Sequence, residues 1–238
     1  MKYNAKKLTH IAIVPDGNRR WAKLRGFEPW IGHKNGTKNF KKIFEKVLDF
    51  EIPYFSFWAS SEDNLEKRSK LEVDFLLNTF KKNFKELTKN KKIHKNQVKI
   101  NIFGSWRKQF PKEVKEPMEQ AISATKKYDK FHFNFFIAYS GIGEMMNAIK
   151  AVAKEKIKNP DIKITESIIK KYLLTKDIPA VDYLIRTGGE PHMSSGFMMW
   201  DIADAQMYFS KKLWPDFSAN DFEKAIKEYY SRQRKFGA

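Results

Sequence analysis

The chain has 238 residues, a length for one large domain or two small ones at roughly 150 residues per domain. With 42% apolar and 15% aromatic residues it can pack a core, so wholesale disorder is excluded, and the absence of cysteine excludes disulfides, thiolate metal sites and cysteine nucleophiles. The 46 Lys+Arg against 28 Asp+Glu, a net charge of +18, call for an anionic partner such as nucleic acid, a membrane surface or a phosphorylated substrate.

The first segment, Met1 to Lys7, is too polar for a signal-peptide core, and no run approaches the ~18 apolar residues of a membrane span, so a cytoplasmic location is expected. Leu8 to Val14 is a short β-branched apolar run ended by Pro15-Asp16-Gly17-Asn18, which predicts a buried strand and a turn. Phe40 to Phe50 carries apolar residues at helical spacing, 53–59 is a second strand-like run, and Ser60 to Ser69 reads as polar loop. From Val73, apolar residues at 73, 76, 77, 80, 84 and 87 share one helical stripe. Val98 to Phe103, Phe131 to Ala138 and Val181 to Ile185 follow as predicted strands, with helices over Val114 to Ala124 and Glu144 to Ile157. The last helix opens on Ser218 and Asp221, a capping-box pair, and places Phe222, Ala225, Ile226 and Tyr229 on one face.

Apolar strands alternating with helices predict an α/β fold around a central, mostly parallel sheet flanked by helices. No linker, repeat or low-complexity tail interrupts residues 1–238, which therefore read as a single domain. In such folds ligands sit beyond the carboxyl ends of strands, so the loops at 15–20, 60–68, 139–143 and 186–196 are where chemistry is expected.

The basic residues themselves are informative. Arginine occurs only at 19, 20, 25, 68, 107, 186, 232 and 234, and the other 38 are lysines. In so lysine-biased a chain, each arginine is a candidate for work that needs a rigid, bidentate fork, such as holding phosphate. The segment 81–130, with 15 Lys+Arg against 5 Asp+Glu, reads as solvated helix faces, or else as weak attraction to an anionic membrane.

Asp16-Gly17-Asn18-Arg19-Arg20-Trp21 combines a hard oxygen ligand, a glycine and two adjacent arginines directly after a strand, the outline of a diphosphate site. The same tripeptide would also serve as an ordinary strand-to-helix turn. Arg186-Thr187-Gly188-Gly189-Glu190 repeats the design, and a plain Gly-rich turn with a surface arginine is its alternative. Neither loop matches a P-loop or a GxGxxG fingerprint, which disfavours ATP and NAD. Ser60, Ser61, Glu62, Asp63, Asn64 and Arg68 supply hydroxyls, an amide and a further guanidinium, or equally a helix-capping loop. His33 could donate to a phosphate oxygen. The other histidines, at 10, 94, 132 and 192, lack zinc-site spacing, and there is no GxSxG elbow.

Together, HIAIVPDGNRRWA (10–22), GH (32–33), SSEDN (60–64), RTGGE (186–190), YF…LWPDF (208–217) and the terminal RQRKFG (232–237) resemble the cis-prenyltransferases, the undecaprenyl or polyprenyl diphosphate synthase family, in order and spacing over nearly the whole chain. The resemblance implies a homodimeric, Mg²⁺-dependent transferase with an apolar tunnel. It would add isopentenyl diphosphate repeatedly to an allylic diphosphate, farnesyl diphosphate for example, making Z double bonds in a long chain such as undecaprenyl diphosphate. Asp16 would be the essential carboxylate that works with Mg²⁺, and Gly17, Asn18, Arg19, Arg20, Trp21 and His33 would surround the allylic diphosphate. Asn64, or Asp63 in this longer loop, would assist proton removal, beside Ser60, Ser61, Glu62 and Arg68. Arg186, His192 and Ser194 would hold isopentenyl diphosphate, and Gln206 would take the place of a second metal ligand.

The tunnel wall is expected among Phe55, Phe57, Phe131, Phe133, Phe135 and Phe136. Contact with the membrane's inner face would come through the lipid product, and no nucleic acid is expected. The sequence departs from the family pattern at Pro15, Arg19, Pro29, His192 and Gln206; the neutral amide of Gln206 is a weaker Mg²⁺ ligand than the family's glutamate. A non-catalytic or weakly active subunit of a heteromeric cis-prenyltransferase is the alternative. A nucleic-acid-binding domain is the rival from the charge alone, and it predicts steeply salt-dependent affinity.

Overall fold

The computed structural model describes residues 7–232, so the terminal RQRKFG motif lies outside the described residues except for Arg232. Six strands form one sheet: β1 (His10–Val14), β2 (Tyr54–Trp58), β3 (Val98–Phe103), β4 (Phe131–Phe136), β5 (Tyr183–Arg186) and β6 (Gln206–Phe209). Every pairing is parallel, in the order β3-β4-β2-β1-β5-β6. The expected α/β architecture is therefore present, with a sheet that is wholly rather than mostly parallel.

The strands are apolar on both faces because both are covered. Along β4, Phe131, Phe133 and Phe135 enter one core with α2 (Pro29–Asp49), α4 (Lys70–Thr88), α7 (Lys112–Thr125) and α10 (Ala219–Ser231). Phe136 faces the other core, with Trp58, Tyr139, Leu184 and Phe197. This second face also carries a polar ladder across four strands. Asn101 Nδ2 donates to Asn134 Oδ1 (2.9 Å), Asn134 Nδ2 to Ser56 Oγ (3.2 Å), and Ser56 Oγ lies 2.8 Å from His10 Nε2, while His10 Nδ1 meets the Pro179 carbonyl (2.8 Å). The carbonyl can only accept, so Nδ1 carries the ring proton, Nε2 accepts from Ser56, and each ladder side chain has a partner.

Several elements differ from the sequence expectation. The stretch read as loop over Ser60 to Ser69 contains the helical turn α3 (Asp63–Glu66), and the short helices α5 (Lys91–Lys95) and α6 (Trp106–Gln109) carry no periodic apolar pattern. Helix α2 begins at Pro29 rather than near Phe40, and its first turns hold Gly32 and Gly36. These read as helix-weakening residues, yet they are points of close approach. A Cβ on Gly32 would lie 2.0 Å from the Asn18 carbonyl oxygen, and one on Gly36 would lie 2.2 Å from Asn18 Oδ1. The short helix α9 (Glu166–Lys171) buries no side chain, and β6 is a half-exposed edge strand, so neither has the apolar pattern that reveals its neighbours.

The chain leaves β1 toward β2, β4 and β3 on one side and returns to place β5 and β6 on the other. The loops after β1 and β5 thus diverge from adjacent strands, the crevice where open parallel sheets bind ligands. Among the described residues, no helix is long and apolar enough to cross a membrane.

Candidate active site

Asp16 stands two residues past β1. Its carbonyl accepts from Thr187 Oγ1 (2.8 Å) and from the Trp214 backbone amide (2.9 Å), which ties the loop after β1 to those after β5 and β6. Gly17 follows with φ 107°, and a Cβ there would meet Leu213 Cδ2 at 2.7 Å, so both backbone and neighbour require glycine. The Asp16 carboxylate projects between two arginines: Oδ2 is 2.9 Å from Arg186 Nη2 and 3.2 Å from Arg20 Nη2. Arg20 also reaches Glu190 Oε1 (3.3 Å). Arg186, only 4% exposed, donates Nη1 to the His192 carbonyl (2.6 Å), and its buried Nε has no partner among the described residues. Two predicted loops therefore meet on one carboxylate, and a buried guanidinium keeps a donor unspent.

Asn18 opens α1 (Asn18–Lys23), whose successive side chains point about 100° apart. Arg20 turns to Asp16, while Arg19 leans the other way, its Nε 3.7 Å from Glu72 Oε2. Glu72 is 2% exposed and gathers a second cluster. His33 Nε2 lies 2.9 Å from its Oε1, Arg68 Nη1 lies 3.2 Å from the same oxygen, and Arg68 Nη2 donates to Asn64 Oδ1 (2.7 Å). Burial lowers the His33 pKa, against the pull of Glu72. Burial would raise the Glu72 pKa, but the His33 hydrogen bond and the charges of Arg68 and Arg19 hold it below the usual carboxylate range.

Glu72 escaped the sequence reading because Ser69-x-x-Glu72 has the form of a helix-capping pair. The Glu72 amide does donate to Ser69 Oγ (3.4 Å), but its carboxylate goes to His33 and Arg68 instead.

Other predicted residues take different places. Ser60 Oγ accepts from the Ala138 amide (2.9 Å), Ser61 forms a β-bridge with Tyr139, and Glu62 accepts from Ser105 Oγ (2.6 Å), so this stretch ties the ends of β2, β3 and β4 together. Trp21 donates to Asp216 Oδ1 (2.7 Å) and carries Arg25 on its ring. His192 contributes its carbonyl to Arg186 while its ring is exposed, and Ser194 begins the turn in which its carbonyl accepts from the Phe197 amide.

Gln206 is a correction. It pairs with Tyr183 at the opening residue of β6, whereas Arg186 pairs with Phe209 at the closing one. Three residues of strand, about 10 Å, separate it from the level of Arg186, and Asp16 lies beyond that level. The fold of one chain does not bring Gln206 to Asp16.

Beside these clusters lies an apolar cavity of about 210 Å³ between α2, α4 and the sheet. Pro15, Asn18 and His33 stand at one end, and Leu87, Asn90 and Lys92 at the other. Of the predicted wall residues Phe57 and Phe135 line it, and the opposing wall is Phe40, Phe44, Phe80 and Phe84 from the helices. Phe55, Phe131 and Phe133 pack in the core, and Phe136 lies under the opposite face of the sheet.

The Prenyltransf family model, which describes undecaprenyl diphosphate synthases, matches residues 14–237. A Pyrococcus abyssi protein named tritrans,polycis-undecaprenyl-diphosphate synthase (geranylgeranyl-diphosphate specific) is 38% identical over 232 residues, covering 96% of this chain and 86% of its own. A Thermotoga maritima isoprenyl transferase is 33% identical over 228 residues, covering 96% of each. The crystal structure of lavandulyl diphosphate synthase from Lavandula x intermedia, in complex with dimethylallyl diphosphate, superposes with a TM-score of 0.87 at 30% identity, covering 98% of this chain and 99% of that one. The chain belongs to the undecaprenyl diphosphate synthase family of cis-prenyltransferases and is a transferase.

Proposed function

We propose that this transferase condenses isopentenyl diphosphate repeatedly onto an allylic diphosphate, building a long Z-polyprenyl diphosphate of the undecaprenyl class. In each cycle the allylic C–O bond breaks, a C–C bond forms to isopentenyl diphosphate, a proton is lost and diphosphate is released. The observation that carries this reading is the meeting of Asp16, Arg20 and Arg186 at the sheet's switch point, next to an apolar cavity entered past Pro15 and Asn18. Charge grows on the departing diphosphate, and fixed guanidinium groups facing it lower the barrier without reorganising. The buried Arg186, with its unspent Nε, suits the second diphosphate. The cavity's aromatic walls suit the hydrocarbon chain and keep water from the reacting carbons.

Asp16 fits a hard cation. Both arginines bind Oδ2, and Oδ1 has no partner among the described residues, on a carboxylate that is 30% exposed. Among the described residues no group of three or more acidic or histidine side chains could hold a metal, so Asp16 would share Mg²⁺ with substrate phosphates and water, as this cation prefers. Bound there, Mg²⁺ would offset the charge developing on the leaving diphosphate. A homodimer also belongs to this reading. It is supported by Ile142, Met146 and Ile149, which lie exposed along one face of α8 (Gly141–Lys158).

The test is incorporation of radiolabelled isopentenyl diphosphate into an extractable lipid with Mg²⁺ and either farnesyl or geranylgeranyl diphosphate. We expect label with at least one starter, and mass spectrometry then gives the chain length. No incorporation with either starter would overturn the proposal, and activity appearing only with a second chain would favour the heteromeric alternative.

A further inference from the structure

The Glu72 cluster holds more than the reaction as drawn requires. His33 lines the cavity beside Asn18, and its Nε2 faces both Glu72 Oε1 (2.9 Å) and Arg68 Nη1 (3.4 Å). A guanidinium only donates and a carboxylate only accepts, so the two neighbours ask opposite things of that nitrogen. The carboxylate makes the shorter, charge-assisted bond, which puts the ring proton on Nε2. Arg68 is then spent on Glu72 and Asn64. Nδ1 is left as a bare acceptor with no partner among the described residues. A diphosphate oxygen is an acceptor too, so a neutral His33 held in this way cannot donate to it.

We propose that Glu72 is the positioning residue of the allylic diphosphate site: it grips His33 through Nε2–H, so that binding of the diphosphate is accompanied by uptake of one proton at His33 Nδ1. The inference rests on the function proposed above and adds to it a named residue and a coupled proton. The charged groups facing His33 are Glu72 from α4, Arg68 from the loop before α4, and Arg19 from α1. Both arginines oppose a second proton on the ring, and Glu72 is the only one of the three that favours it. As the diphosphate arrives its own charge adds to that of Glu72, and the imidazolium then spans two anions with one N–H to each. The simple electrostatic expectation for Glu72 is the reverse, because a carboxylate near a diphosphate repels it and its neutralisation should tighten binding.

The test is nitrogen NMR of histidine-labelled protein, which has five histidines, with His33→Gln identifying the signal. The ligand is whichever starter supports elongation, added without isopentenyl diphosphate. We expect the Nε2–H tautomer in the free protein and an imidazolium in the complex near pH 8. Glu72→Gln should weaken starter binding on the order of tenfold, the equivalent of one hydrogen bond to a charged group. It should leave His33 neutral in the complex, and the loss should shrink toward pH 6. Glu72→Asp, which keeps the charge, should recover part of the affinity and shows that the position tolerates change. An unprotonated His33 in the wild-type complex, an Nδ1–H tautomer in the free protein, or tighter binding by a folded Glu72→Gln variant would overturn the proposal. If neither starter binds or elongates, the functional reading falls first and this inference with it.

Discussion

At the scale of single residues, one carboxylate organises the mouth of the site. Asp16 holds Arg20 and Arg186 by the same oxygen, so each arginine is aimed before any substrate arrives. Arg186 makes the stricter demand, with its fork divided between Asp16 and the His192 carbonyl and its Nε still free. A lysine has one point of charge and cannot serve all three directions. Arg186→Lys should therefore lower kcat/KM for isopentenyl diphosphate by roughly 10- to 100-fold, the span of one to two lost charge-assisted bonds. Steady-state kinetics with each substrate varied in turn checks this, and an unchanged constant would count against a direct role.

Asp16, Arg20 and Arg186 stand out in the sequence as a carboxylate and arginines beside glycines after apolar runs in a lysine-rich chain, whereas Asn64 and His33 are assigned only through the resemblance, because a polar capping loop and a lone histidine have common structural uses. Glu72 does not stand out, since a glutamate three residues after a serine has a common structural use. Gln206 entered through the resemblance alone, which does not report that it opens β6 while Arg186 closes β5.

At the scale of elements, α2 and α4 face each other over the sheet and make the cavity. The stripe of Leu76, Phe80, Phe84 and Leu87 in α4 reads as core from its spacing alone, and hydropathy cannot tell a side chain that fills a core from one that walls an empty space. The far end of the cavity is bounded by Leu87, Asn90 and Lys92, with Lys41–Glu86 and Lys92–Glu45 ion pairs across it (2.8 and 2.5 Å). These pairs are about half exposed and so contribute little to stability, on the order of 0–1 kcal/mol each. Bulk at that end should act on the product instead. Leu87→Trp is expected to shorten the product distribution with little change in the rate of the first condensation, as read by mass spectrometry and single-turnover kinetics. An unchanged length distribution would show that the chain does not run along α4.

At the scale of the molecule, the two-sided apolar strands make the α/β class and the parallel sheet legible in the sequence alone. The edge strand β6 and the glycine-interrupted start of α2 were hidden, the first by its half-exposure and the second because its glycines serve contact rather than turning. The polar ladder across the sheet has its own consequence. Burial holds His10 neutral, with its pKa pushed down to about 4 from 6.5. The unfolded chain takes up a proton below pH 6.5 that the folded chain refuses until about pH 4. Stability should thus be independent of this group above pH 6.5 and fall as the pH drops toward 4, by roughly 3 kcal/mol in all. Urea unfolding across that range, compared with His10→Asn, isolates the effect; parallel pH profiles for the two proteins would contradict it.

The central claim is that prenyl transfer takes place at the carboxylate between the two arginines. Its most direct measurement is the release of diphosphate at saturating isopentenyl diphosphate, starter and Mg²⁺ by the wild-type protein and by Asp16→Ala, each shown to unfold cooperatively. The account predicts one diphosphate released per isopentenyl unit consumed by the wild type, and a rate lower by about 10³-fold in the variant, the upper range for losing one preorganised electrostatic contact. A folded Asp16→Ala protein that releases diphosphate at the wild-type rate would contradict it.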